Sequence, residues 1–127
     1  MTKPRPGDSE PGYGGEVPSI NLKAGMPLVR DAMARMDRAL AQAKAEGGAV
    51  IKFIHGYGSS GAGGEIRIAV QRRLREMESA GAIRACIFGE DWGKSDARAW
   101  ELLKARPRWK DDADLGRRNR GITIVVL

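Results

Sequence analysis

The sequence predicts an α/β fold: a two-layer sandwich in which a four-stranded mixed sheet carries two main helices on one face, plus a short inserted helix. Three observations predict it. Two long segments repeat apolar residues every three to four positions, the period of an amphipathic helix. Four short apolar runs rich in β-branched residues alternate with them. The order along the chain is strand, helix, strand, helix, strand, short helix, strand. That order makes the long helices crossovers and implies parallel strand pairs. The length of 127 residues and the 42% hydrophobic content suit one domain with one core.

Residues 1–18 are rich in proline, glycine and charge, and have little apolar surface to offset their ordering entropy. They are expected to form a flexible N-terminal arm, with a single domain over 19–127. Ser19-Ile20-Asn21-Leu22 reads as a short strand. Met26-Pro27 opens the first helix, where proline fits the first turn. Its apolar stripe is Val29, Met33, Met36, Leu40 and Ala43, and Gly47-Gly48 ends it. The run 49–54 (AVIKFI) is a mostly buried strand with Lys52 facing out. A second helix follows a glycine-rich loop, with Ile66, Val70, Leu74 and Met77 on one side and Arg67, Gln71, Arg72 and Arg75 on the other. Gly81 terminates it, and 83–88 (IRACIF) is the third strand. Ser95 is placed to cap a short helix reaching about Lys104, anchored by Trp100 and Leu103. A polar stretch, RPRWKDDADLGRRNRG, then leads to the apolar strand 122–127 (ITIVVL), expected inside the sheet.

The formal net charge of +6 and pI near 9.9 favour polyanionic partners. The lone Cys86 excludes an internal disulfide, and its apolar setting predicts a buried structural thiol. One cysteine and one histidine cannot build a zinc site. No metal ligands and no cofactor are identified, although a divalent ion stays compatible with the sequence. No run approaches the ~20 apolar residues of a membrane span. The N-terminus lacks the apolar core of a signal peptide, so a cytoplasmic protein without a membrane partner is expected.

Most chemical information lies in IKFIHGYGSSGAGGEIR. Glycines at 56, 58, 61, 63 and 64 allow positive φ and close backbone approach. A glycine-rich turn feeding a helix N-terminus offers amide donors and the positive helix end to an anion. Ser59 and Ser60 add hydroxyls, and His55 ends the strand beside them. Gly56, Gly58 and Gly61 match the dinucleotide-binding spacing, a weak signal because the loop runs on through Ala62-Gly63-Gly64. A phosphate-binding P-loop lacks its lysine here.

The segment Phe53-Ile54-His55-Gly56-Tyr57-Gly58-Ser59-Ser60-Gly61, followed by Glu65-Ile66-Arg67 and Val70, resembles the Smr (small MutS-related) family. The preceding helix and the closing strand are similar too. The resemblance implies a fold like the C-terminal domain of bacterial translation initiation factor three. It also implies nucleic-acid binding, DNA or RNA, and in several members DNA nicking or RNA cleavage. The sequence departs from the family at the end of the first strand. The usual Asp-Leu-His-Gly is replaced by Asn21-Leu22-Lys23-Ala24-Gly25, which removes a carboxylate and a histidine and shifts the reading from endonuclease toward binding module. The late glycine turn becomes Arg117-Arg118-Asn119-Arg120-Gly121. Expected nucleic-acid contacts are Lys23, His55, Gly56, Tyr57, Gly58, Ser59, Ser60, Gly61, Arg67, Arg117, Arg118 and Arg120, with His55 the one catalytic candidate. Residues 91–115 read as an insertion. Trp92, Trp100 and Trp109 there could stack on unpaired bases or cover apolar surface, the latter favoured for Trp100. The alternative function is an inactive binding module for nucleic acid, or for a protein partner at this insertion.

Overall fold

A computed structural model describes residues 17–58 and 63–127. In chain order it contains β1 (Ser19–Asn21), α1 (Val29–Ala45), β2 (Val50–Ile54), α2 (Gly63–Ser79), β3 (Ala85–Phe88), α3 (Ala97–Ala105) and β4 (Ile122–Val126), with 3₁₀ turns at Gly89–Asp91 and Pro107–Asp111. The sheet order is β1-β2-β4-β3. β1 and β2 are parallel, and β4 runs antiparallel to both β2 and β3. The last strand is therefore central, which explains its unbroken apolar sequence: residues 122–125 are buried, with side chains feeding both faces.

One face meets the two long helices. Ile51, Phe53, Cys86 and Val125 pack against Ala32, Met33, Met36 and Leu40 of α1 and Ile66, Val70 and Leu74 of α2. Arg73 Nη1 donates to both carboxylate oxygens of Asp37, at 2.9 and 2.8 Å, and ties the helices together. Cys86 is buried, and burial, with Glu78 alongside, pushes its thiol up to about 12. It is a structural residue, as its apolar run predicts.

The segment 91–115 covers the opposite face. Val50, Ile87, Ile122 and Ile124 pack against Trp92, Ala99, Leu102, Leu103 and Trp109. Trp92 and Trp109 are fully buried and meet edge to face, ring centroids 6.2 Å apart at 84°. Neither can stack on a base, and Trp100, expected to cover apolar surface, is the exposed one of the three. Lys52 is a second correction. It does point away from α1 and α2, but the segment carrying Asp112 and Asp114 closes over it. Its ammonium donates to Asp112 Oδ1 at 2.8 Å and pairs with Asp114. Burial alone would pull Lys52 down, but the two carboxylates outweigh it and hold the ammonium above 10.5.

Smaller differences have local causes. α3 is capped by Asp96 rather than Ser95, its carboxylate accepting from the Arg98 and Ala99 amides at 2.9 and 3.0 Å. α1 begins at Val29, after Met26 takes a left-handed φ of 52°. At the N-terminal side, Val17 packs on the α3 face and the Pro18 carbonyl accepts from the Lys52 amide at 2.9 Å. Among the described residues, no helix is long and apolar enough to cross a membrane.

Candidate functional site

The strand directions bring four connecting segments to one end of the sheet. Asn21 pairs with Ile54, Ile54 with Ile122, and Phe88 with Thr123. The turn after β1, the loop after β2, the 3₁₀ turn after β3 and the 117–121 turn before β4 therefore converge.

The first segment carries Lys23. Asn21 Oδ1 accepts from the Lys23 amide at 3.0 Å, and the Met26 amide donates to the Lys23 carbonyl at 3.1 Å. Arg35 reaches up from α1 and donates to the carbonyls of Asn21 and Ala24, at 3.1 and 3.2 Å. Asn21 thus does local structural work where the resemblance led to the expectation of an acid. Lys23 is exposed and lies across the second segment: its Cδ is 3.3 Å from where a Cβ on Gly56 would stand.

In the second segment, the His55 and Gly56 amides both donate to the Gly121 carbonyl, at 2.9 and 3.0 Å. These two donors, expected to meet an anion, are occupied within the protein. The His55 ring, expected to face a ligand, is 0% exposed. Its Nδ1 lies 2.6 Å from the Gly56 carbonyl and its Nε2 2.9 Å from Thr123 Oγ1. A carbonyl can only accept, so Nδ1 carries the proton and Nε2 accepts from the threonine hydroxyl. Burial holds the ring's pKa below the ordinary 6.5; the Arg67 charge adds to this, while the Gly56 bond and Glu90 oppose it. The ring is therefore neutral near pH 7 and fastens the loop to β4. Gly56 and Gly58 take left-handed φ values of 73° and 92°. Between them Tyr57 is 56% exposed. Ser59, Ser60 and Gly61 lie outside the described residues.

Arg67, in the first turn of α2, does point toward this end, but its Nη2 faces Glu90 Oε2 at 3.4 Å. Sequence reading missed Glu90, which lies 23 positions away in the 3₁₀ turn after β3 and carries no motif signal. The arginine turn is built by Asn119, whose Oδ1 accepts from the Gly121 amide and whose Nδ2 donates to Asp114 Oδ1, both at 2.8 Å. Lys52 and Asn119 together hold the Asp114 carboxyl below its usual 3.8 despite burial. Arg117, Arg118 and Arg120 are exposed. Arg118, Arg120 and Lys94 line a cleft of about 670 Å³ together with Glu90, Asp91 and Asp96, so its ionic lining balances. Among the described residues, no group of three or more potential ligands could hold a metal ion.

A mixed sheet in the order β1-β2-β4-β3, with two crossover helices on one face and the connecting loops gathered at one end, defines an α/β sandwich of Smr type. In particular, the chain is similar in fold to the crystal structure of the Smr domain of Thermus thermophilus MutS2. The two are 21% identical, the match covers 87% of this chain and 98% of that one, and the TM-score is 0.54. No family model and no curated protein matches the sequence.

Proposed function

We propose that the protein is an Smr-like nucleic-acid-binding domain that grips the sugar-phosphate backbone at this end of the sheet. The observation that carries the reading is the joining of three segments at one point. The Lys23 turn rests on Gly56, and the loop after β2 is bonded to Gly121 of the arginine turn. Lys23, Arg117, Arg118 and Arg120 are exposed cations at this end, and contacts of this kind fix register on a backbone without reading sequence. His55 acts by holding the loop, not by touching substrate. The enclosed neutral ring, together with Asn21 and Lys23 in place of the acid and histidine, favours binding over endonuclease chemistry.

The test is a salt titration of binding to a DNA duplex. Each phosphate contact removed should flatten the log–log slope by about 0.9. Lys23→Gln and Arg118→Gln are each expected to reduce the slope, while Arg84→Gln, at the opposite end of β3, leaves it unchanged. A wild-type affinity that does not respond to salt would refute backbone binding.

A further inference from the structure

The backbone reading does not say whether the site prefers duplexes or single strands, but the placement of aromatic rings does. The chain has three tryptophans, two tyrosines and two phenylalanines. Trp92, Trp109 and Phe53 are buried. Phe88 carries the Arg75 guanidinium 4.7 Å above its ring. Trp100 is exposed, but on α3, in the layer across the sheet from α1 and α2. Among the described residues, Tyr57 is the exposed ring at the loop end of the sheet.

Its backbone is held on the strand side. Gly56 is fixed by its bond to the Gly121 carbonyl and by the His55 ring. The Gly58 Cα lies 3.6 Å from where a Cβ on Gly64, in the first turn of α2, would stand. An aromatic ring presented on an anchored turn loses little freedom on binding, and its burial on a ligand is correspondingly effective. The Lys23 stem crosses the neighbouring Gly56, and Met26, on the same turn as Lys23, is 95% exposed. A cation one residue from a flat apolar ring suits a single strand, which offers a phosphate and an unstacked base face together. A duplex keeps its base faces inside the stack and offers Tyr57 nothing to cover.

We propose that Tyr57 stacks on an unpaired base while Lys23 holds the adjoining phosphate, so that the substrate class is single-stranded DNA or RNA. This inference rests on the backbone-binding reading. The test measures fluorescence anisotropy of a labelled single-stranded DNA, the same sequence as RNA, and the DNA duplex, each titrated with the full chain. Wild type should prefer the single strands. Tyr57→Ala should weaken single-strand affinity on the order of ten-fold, leaving the duplex affinity and the salt slope of every probe unchanged. Tyr57→Phe should bind as wild type, and Lys23→Gln should flatten the slope for every probe. A 5-iodouracil-substituted strand should photocross-link at Tyr57. If Tyr57→Ala binds single strands as wild type does, or loses single strand and duplex alike, stacking is overturned while backbone binding stands. If wild type binds none of the probes, the backbone reading itself fails and takes this one with it.

Discussion

At the scale of single residues, His55 shows how position alters chemistry. Its ring is enclosed and uncharged, because burial disfavours the imidazolium more than the Gly56 carbonyl and Glu90 favour it. The unfolded chain binds this proton near pH 6.5, and the folded chain only at lower pH. Between those values the unfolded state holds more protons, so stability present above pH 6.5 falls as the solution is acidified. Urea unfolding of wild type and His55→Gln from pH 8 to pH 5 should show this loss in wild type only; the same pH dependence in both would place the titration elsewhere. Gly89 is a second case. A Cβ there would stand 1.6 Å from the Asn119 carbonyl oxygen and 2.9 Å from that of Ile122. Gly89→Ala should therefore displace the arginine turn, with a lowered melting temperature and weaker nucleic-acid binding together. Neither feature was legible in the sequence. His55 was recognisable as a strand-end residue beside a glycine loop, but its partner Thr123 lies 68 positions away. Gly89 is 30 positions or more from the backbone it touches, at Asn119 and Ile122.

At the scale of elements, periodicity carried the reading. α1 and α2 were legible because each buries one face at a fixed repeat, and β2 and β4 because each is an apolar run buried on both faces; the apolar β4 read correctly as an interior strand. The short helix α3 was legible too, but the cover built around it was not, because Trp92, Trp109 and the buried polar pair beside them follow no repeat. Asp112 accepts from Lys52 Nζ at 2.8 Å and from Trp92 Nε1 at 2.9 Å, so it ties the cover to β2. A run such as KDDAD looks like solvated loop until the lysine 60 residues upstream is placed beneath it. Removing Asp112 leaves the buried Lys52 ammonium with Asp114 alone and the buried Trp92 indole N–H without its acceptor, and Asp112→Ala should cost about 2–3 kcal/mol in chemical denaturation. Trp109→Ala, which empties the centre of the same cover, should cost about 3–5 kcal/mol. A loss under 1 kcal/mol in both would mean that the cover contributes little to the fold.

At the scale of the whole molecule, the two layers have separate duties. The helices α1 and α2 stabilise one face, while the cover on the other face also builds the arginine turn through Asp114 and Asn119. Stability and site geometry are thereby coupled: Asn119→Ala removes the acceptor of the Gly121 amide, and should weaken nucleic-acid affinity several-fold through loss of turn geometry. Lys23 and the 117–120 arginines were legible as cations, and their convergence follows from strand order. Their acidic neighbours Glu90, Asp91 and Asp96 were not, since only the folded chain gathers them into one cleft with Arg118 and Arg120. The net charge of +6 is therefore a weaker guide to the binding face than the placement of each cation.

The central claim is that nucleic acid docks on the loop end of the sheet. Amide chemical-shift mapping of the isotope-labelled full chain, titrated with a short single-stranded oligonucleotide, tests it most directly. Shifts should concentrate at Lys23, Tyr57, Gly58, Arg118 and Arg120, and leave Arg84 and Glu101 at the far end unmoved. Shifts confined to that far end, or to the exposed face of α3 around Trp100, would contradict the account.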